Sequence, residues 1–266
     1  MDKEDLKKLA ENPEFIKGIY NYCDRWCERC PFTSRCLNFA MGSEQFDDQE
    51  AHDLNNEAFW QSLSETFQMT LELLHEAAEE HGIDLDSPEM EEFSEREKFK
   101  DEMAKNHECC RAAKRYSEMV DDWFDAAEEM FPQQEEEFNL GDGPDQPDDG
   151  EDAEEASFGE ALEVVRWYQY QIYVKLMRAV RGDLDDEPEI LDEYPKDSDG
   201  SAKVALIGIE RSIAAWGEIR SHFPLQDNDL LEMLVHLEQL RRKVENAFPD
   251  ARAFIRPGFD RIDLNS

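Results

Sequence analysis

Residues 157–182 read SFGEALEVVRWYQYQIYVKLMRAVRG, and this stretch predicts a central helix. Its apolar residues recur three and four positions apart, which is the period of an α-helix. They occupy more than one face of that helix and are Leu162, Val165, Trp167, Tyr168, Ile172, Leu176 and Val180. Because a helix that is apolar on several sides is surrounded by other elements, the stretch indicates the interior of a helical protein.

Outward from this stretch, other segments carry apolar stripes at helical spacing, and no sustained alternation indicates a strand. They predict long helices at about 55–82, 88–131, 201–222 and 227–247, and a short one at 4–19. The stripe of the first long helix is Phe59, Leu63, Phe67, Thr70, Leu74 and Ala78, and Gly82 is expected to end it. We therefore expect an all-α fold, an antiparallel helical bundle of four long helices with a fifth C-terminal helix packed alongside.

The charge is distributed unevenly and suggests the domain organisation. The formal net charge is −38, of which residues 37–200 carry −37. An acidic linker is expected at 133–156, because this stretch has almost no apolar residue to bury. The remaining predicted segments are an N-terminal helix with a four-cysteine segment (1–40), a first helical hairpin (41–132), and a second hairpin with the fifth helix and a docked tail (157–266). The two hairpins are expected to form one bundle domain.

This acidity also limits the expected partners. A polyanion is repelled by nucleic-acid phosphates and by anionic lipids, so we expect neither nucleic-acid nor membrane binding. No run of about eighteen apolar residues is present, and MDKEDLKKLAENPEF lacks the apolar core of a secretory signal. The expected location is cytoplasmic, and the expected partner is a redox or interaction protein. A salt-rich cytoplasm would select the same acidity, and the sequence does not indicate the oligomeric state.

Four of the six cysteines lie within fourteen residues. Cys23, Cys27, Cys30 and Cys36 have the spacing C-x3-C-x2-C-x5-C, in the context YCDRWCERCPFTSRCLNF. Clustered cysteines of a reducing compartment favour metal binding over disulfides. Structural zinc sites usually join two separated C-x2-C pairs, whereas a single loop with several thiolates is typical of [4Fe–4S] clusters. The sequence predicts these four cysteines as ligands of a [4Fe–4S] cluster, with Zn²⁺ as the alternative.

Parts of this segment resemble known iron–sulfur proteins. The Cys30-Pro31 step resembles the Cys-Pro of bacterial ferredoxins. The first three cysteines resemble the C-x3-C-x2-C motif of radical-SAM enzymes over eight residues. The alternating strands of the radical-SAM barrel are missing, and a fourth ligand, Cys36, would close the open iron on which that chemistry depends. The radical-SAM assignment is therefore set aside.

Arginines are expected to moderate the charge of such a cluster. An acidic environment lowers the reduction potential of a four-thiolate cluster, and neighbouring cations offset this effect. The tail at 253–259 is too apolar for a free end and is expected to dock. The candidate cations are Arg25, Arg29 and Arg35, joined by Arg252, Arg256 and Arg261 if the tail docks there; Trp26 and Phe32 are candidates for an apolar shell.

A second kind of metal site is also conceivable. Glu72 and His75 form an E-x2-H element, which di-iron bundle proteins supply twice. Residues on other predicted helices that would complete such a site are His107, Glu108, Glu160, Glu163 and Glu210. Three hypotheses are kept: an electron-transfer protein or redox or iron sensor with a [4Fe–4S] centre, a zinc-stapled adaptor without catalysis, and a di-iron carboxylate oxidase. Whether the protein is an enzyme is left open.

Overall fold

The computed structural model describes residues 8–45, 57–130, 151–184, 196–222 and 227–260. Within these ranges the regular structure is helical and no strand occurs, which confirms the predicted all-α class. Most of the linker predicted at 133–156 lies outside the described residues, and its last part, 151–156, is helical. None of the described helices is long and apolar enough to cross a bilayer.

The described helices follow the predicted order with shifted ends. Three 3₁₀ turns, at Ile19–Asn21, Cys27–Arg29 and Thr33–Arg35, precede the first of them. The α-helices are α1 (Leu37–Gln45), α2 (Glu57–His81), α3 (Pro88–Asn106), α4 (Glu108–Met130), α5 (Glu151–Leu184), α6 (Asp197–His222) and α7 (Asp227–Ala247).

The helix predicted at 4–19 is wrong beyond residue 10, where the chain leaves helical geometry. Pro13 has no N–H and disfavours a helical conformation in the residue before it. The Asn12 side chain then accepts a hydrogen bond from the backbone N–H of Glu14 at 3.0 Å. This local turn replaces the helical hydrogen bonds that the apolar pattern predicted.

The single helix predicted at 88–131 is instead divided at His107 into α3 and α4. At the end of α3, the Asn106 amide donates to the Glu102 carbonyl at 2.7 Å. At the start of α4, the Cys109 N–H donates to His107 Nδ1 at 3.2 Å. Both side chains satisfy backbone groups that an unbroken helix would have paired, and they stabilise the break.

Gly82 ends α2 as predicted. Its φ is +66°, the left-handed conformation that glycine adopts without steric cost. The Ile83 N–H donates to the Ala78 carbonyl at 2.8 Å, and the Gly82 N–H donates to the Glu79 carbonyl at 3.1 Å. These two bonds form a Schellman motif and satisfy carbonyls at the end of the helix.

The chain divides into two compact units. The first, called the cysteine unit, comprises Met1–Phe99 and Arg256–Ser266, and the second, called the helical unit, comprises Lys100–Ile255. This division differs from the predicted segments, because the C-terminal tail belongs with the N-terminal part of the chain.

Helices α4 to α7 pack against one another in the helical unit, most extensively α5 against α6. Arg178 pairs with Asp197 at 2.7 Å, and Ser157 donates to Glu218 at 3.1 Å, so α5 and α6 run antiparallel. The predicted set of bundle helices is not confirmed. Helix α7 contributes fully buried side chains to the core, whereas α2 has an exposed apolar stripe.

Two buried aromatic residues link α4 and α6. Trp216 donates to the Tyr116 hydroxyl at 3.0 Å, and both residues are fully buried. Trp123 packs edge to face on Trp216, with ring centroids 5.0 Å apart. Burial raises the pKa of Tyr116 to about 12, which keeps the hydroxyl protonated in the core.

The contact between α5 and α6 is closest at Gly208. A Cβ at this position would lie 2.8 Å from Cδ1 of Tyr168, which is 1% exposed. The Tyr168 hydroxyl also accepts a hydrogen bond from Arg211. The ring is therefore fixed, and only glycine fits beneath it.

We expect Gly208→Ala to lower the free energy of unfolding by about 1–2 kcal/mol, because overpacking at Tyr168 exceeds the gain in helix propensity. Gly217→Ala in the same helix is the matched control, since beyond the adjacent backbone of its own helix no atom lies within 4 Å of its added Cβ. The control should gain about 0.5–1 kcal/mol from helix propensity alone. Chemical denaturation measures both, and equal changes in the two variants would contradict the close contact.

Candidate metal centre

Short turns place the four cysteines. Cys23 follows the first 3₁₀ turn, Cys27 begins the second, Cys30 follows the second, and Cys36 follows the third. The Cys36 carbonyl accepts from the Ala40 N–H at 3.0 Å, so Cys36 also lies at the N-terminus of α1. Because each turn redirects the chain after a few residues, the four side chains return to a common region.

The bend between Cys23 and Cys27 depends on two unusual backbone conformations. Arg25 has φ +63°, which is uncommon for a residue other than glycine. Trp26 follows with φ −81° and ψ 76°, and the Cys27 N–H donates to the Arg25 carbonyl at 3.0 Å. This is an inverse γ-turn. The Arg25 guanidinium is held by Asn38 Oδ1 at 3.0 Å.

All four cysteines line one pocket of about 320 Å³, a volume that includes space open to solvent. Each is a half-buried free thiol. The surroundings are mainly apolar and include Tyr20, Trp26, Phe32, Phe39 and Phe259. Trp26 and Phe32 thus lie where the sequence predicted an apolar shell, whereas Phe39 and Phe259 were not foreseen.

Burial and neighbouring charges both act on the ionisation of Cys27. Burial is the largest cause that raises the pKa of Cys27 above its ordinary value. Negative charges on Cys23, Glu28, Cys30 and Cys36 raise this pKa further. The raised pKa favours the neutral thiol of Cys27, and a bound cation would favour its thiolate instead.

The four thiols line one pocket, but their sulfur atoms are not arranged around one common metal position. Among the described side chains, no group of three or more His, Cys, Asp or Glu residues is placed to hold a metal ion. A zinc ion needs four sulfurs at about 2.3 Å from one centre. In a four-iron cluster each thiolate binds a different iron, so the sulfurs stand further apart. A set of four free thiols fits both groups in its chemistry.

Residues 256–260 of the C-terminal tail pack within the cysteine unit, although the sequence grouped the tail with the second hairpin. Phe259 packs edge to face on Phe32, with ring centroids 5.1 Å apart. Gly258 has φ +80°, and a Cβ there would lie 3.0 Å from the Cδ1 atoms of Ile16 and Ile19. The tail therefore closes one side of the cysteine pocket through Phe259.

The six arginines predicted near the cysteines do not all reach them. Arg25 lines the pocket, Arg29 lies 4.1 Å over the ring of Trp26, and Arg35 donates to the Glu14 carbonyl at 3.4 Å. Arg256 lies 4.9 Å over the ring of Phe259.

For Arg252 the prediction is wrong, because this residue pairs with Glu210 at 2.7 Å and with Glu245 at 2.5 Å in the helical unit. Arg261 lies outside the described residues.

The residues proposed for a di-iron site are engaged in other ways. His107 caps α4, Glu108 pairs with Lys243, and Glu210 pairs with Arg252. Glu72 and His75 are exposed on α2, in the cysteine unit, and the remaining candidates, Glu160 and Glu163, lie on α5. The part of the chain that the structure describes assembles no carboxylate and histidine cluster from them.

The other two cysteines differ from the four in the pocket. Cys110 was predicted as a buried thiol, and both Cys109 and Cys110 are fully buried. Burial raises the pKa of Cys109 to about 11 and that of Cys110 to about 12. Because the thiolate is the reactive form, both are expected to be inert in the folded protein.

We expect two classes of thiol in metal-free protein at pH 8. The four pocket thiols should react with an aromatic disulfide reagent in the folded state, and two more only after unfolding. A Cys109→Ala/Cys110→Ala variant, counted in the same assay, should lose the slow class alone. Six equally fast thiols would contradict the burial of this pair.

We expect Gly258→Ala to loosen the tail, since its φ is costly for alanine and its Cβ meets two isoleucines. Chymotrypsin should then cut after Phe259 several times faster than in the unchanged protein, as followed by mass spectrometry. Gly42→Ala is the control because its Cβ enters open space on α1, and it should not alter the rate. Equal rates in both variants would show that Gly258 is not needed for docking.

Comparison with protein-family models, with curated proteins and with solved structures finds no match to this chain. The functional argument therefore rests on the four thiols and their surroundings.

Proposed function

We propose that the cysteine unit binds a [4Fe–4S] cluster through Cys23, Cys27, Cys30 and Cys36, and that the protein acts in electron transfer or in redox or iron sensing. The supporting observation is that these four free thiols line one largely apolar pocket. The helical unit, proposed to be an antiparallel bundle, is the scaffold that accompanies this centre.

A four-thiolate centre favours electron exchange over substrate chemistry. Such a cluster supplies one-electron redox chemistry when bound, and four protein ligands leave no iron open to a substrate. Trp26, Phe32 and Phe259 give the pocket an apolar lining, which influences the reduction potential of a bound cluster. Phe39 lines the same pocket and is 39% exposed, so the centre lies near the surface.

The charge of the chain indicates the class of partner. A net charge of −38 opposes binding to nucleic acids and to anionic membranes. Arg25 and Arg35 are exposed and lie close in sequence to cysteines of the pocket. Arg25 donates a hydrogen bond to the side-chain oxygen of Asn38, and Arg35 donates one to the Glu14 carbonyl. A redox partner protein with an acidic docking face is therefore the proposed partner.

The second candidate is a zinc-stapled adaptor, and the sparse core of the cysteine segment favours it. Between residues 11 and 36 the regular structure consists of three-residue turns, and Ile19 is the residue of that stretch in the buried core. Segments that bury so little apolar surface commonly depend on a bound metal for stability. Zinc would meet this need without redox chemistry.

The first test is an absorption spectrum with iron, zinc and sulfide analysis on protein purified without oxygen. A broad band near 400 nm with about four iron and four sulfide per chain supports the cluster. A featureless spectrum with about one zinc per chain supports the adaptor. Protein that is purified in this way with neither iron nor zinc bound contradicts both proposals.

Replacement of one ligand should release the metal, because each site then lacks a thiolate. We expect Cys36→Ser to lose most of its bound iron or zinc and to unfold its N-terminal segment more readily. Cys109→Ala, which removes a thiol from the helical unit, is the matched control and should keep full metal content. Full metal content in Cys36→Ser would exclude Cys36 as a ligand.

A further inference from the structure

Residues 256–260 of the cysteine unit form a compact turn, called the tail turn. The Asp260 N–H donates to the Arg256 carbonyl at 3.1 Å, and the Arg256 N–H donates to the Asp260 carboxylate at 2.9 Å. The Arg256 guanidinium pairs with Asp260 at 2.9 Å and lies 4.9 Å over the ring of Phe259. Pro257 fixes a backbone angle within the turn. The tail turn is therefore held in shape by its own contacts.

The tail turn docks on the chain segment that carries the four cysteines. Phe259 packs edge to face on Phe32, with ring centroids 5.1 Å apart. Phe32 lies between Cys30 and Cys36 in the sequence. Both aromatic rings line the pocket that the four cysteines share. The position of Phe32, and with it the docking of Phe259, therefore depends on how the loop between these two cysteines is held.

A second contact of the tail turn depends on the same segment. A Cβ on Gly258 would lie 3.0 Å from the Cδ1 atoms of both Ile16 and Ile19, so the backbone of the turn lies directly against them. The Ile16 N–H donates to the Arg35 carbonyl at 3.0 Å. This bond connects the surface beneath Gly258 to the residue that precedes Cys36.

Apolar packing alone holds this docking surface weakly. Among the described residues between 11 and 36, Ile19 is the one in the buried core, and the regular structure there consists of three-residue turns. A metal bound by four thiolates would fix the turns on which those thiolates lie, and its binding free energy would become folding free energy of the segment. Metal binding would therefore also fix the surface that Phe259 and Gly258 contact.

We propose that docking of the tail turn depends on the metal, so that the turn stays docked while the cysteine pocket holds its metal and is released when the metal is lost. This inference rests on the proposed function, because it requires a metal bound by the four cysteines. The coupling is reciprocal, since a docked tail turn must strengthen metal binding by the same factor as metal strengthens docking.

Such a coupling favours sensing over electron transfer within the proposed function. A sensor must convert the presence of its ligand into a structural difference, which requires that the ligand bind one state more tightly than the other. Release of Phe259 from Phe32 is a difference of this kind. An electron-transfer protein keeps its cluster through each cycle and needs no such release.

Proteolysis of the full chain, purified without oxygen, tests the dependence directly. Chymotrypsin is applied to the metal-bound protein and to protein from which a chelator has removed the metal, and mass spectrometry identifies the cuts. We expect cleavage after Phe259 to be at least about 5-fold faster without metal, the lower end of the usual coupling between two sites. Cuts within α4 to α7 are the internal control and should stay unchanged, because the helical unit contains none of the four cysteines.

The reverse effect is measured as release of bound metal to excess EDTA, with iron and zinc determined by mass spectrometry. Phe259→Ala should release its metal at least about 5-fold faster, because it loses the contact with Phe32. Phe259→Leu keeps much of the apolar volume and should recover most of the retention. Ile255→Ala is the matched control, since Ile255 is 57% exposed and is not among the residues that line the pocket.

Metal analysis of the unchanged protein separates the two proposals. A chain with neither iron nor zinc overturns the proposed function and this inference together. A metal-bound chain that is cut after Phe259 at the same rate with and without metal overturns the inference alone, as does an unchanged release rate in Phe259→Ala. The cleavage experiment needs no variant, so it decides even where Phe259→Ala does not fold. Faster cleavage confined to the cysteine unit, together with faster metal release from Phe259→Ala, supports the inference.

Discussion

The helical unit depends on the close approach of α5 and α6. Gly208 lets the ring of Tyr168 lie against the backbone of α6, and the hydrogen bond from Arg211 fixes that ring. The buried Tyr116 and Trp216 then connect α6 to α4. Because these side chains are large and almost fully buried, a shift of one helix is transmitted to its neighbours, as expected for a close-packed interior.

The N-terminal segment of the cysteine unit is not held together by close helix packing. It has short turns and a strained residue, Arg25, in place of an extensive core. Local hydrogen bonds and the docked tail bring four thiols to one pocket, where burial and the neighbouring charges raise the pKa of Cys27. A cation bound there would favour the thiolate form and supply stability that buried apolar area does not provide.

The net charge and the exposed arginines constrain which molecules can approach this protein. A net charge of −38 makes the chain repel other polyanions at low ionic strength. The exposed arginines beside the cysteine pocket, Arg25 and Arg35, are a local exception to this acidity.

The sequence by itself determined the helical class, most helix positions, the stop at Gly82 and the four cysteines as a group, because these depend on local spacing and conformation. It could not show which helices pack together. The stripes of α2 and α7 look alike in sequence, yet the stripe of α7 is buried in the helical unit, whereas Phe67 and Leu74 of the α2 stripe are exposed. The docking of Phe259 beside residues more than 200 positions earlier, and the pairing of Arg252 with Glu210 and Glu245, were likewise decided by tertiary structure. Contacts between distant residues depend on the shapes of both surfaces, which no local pattern contains.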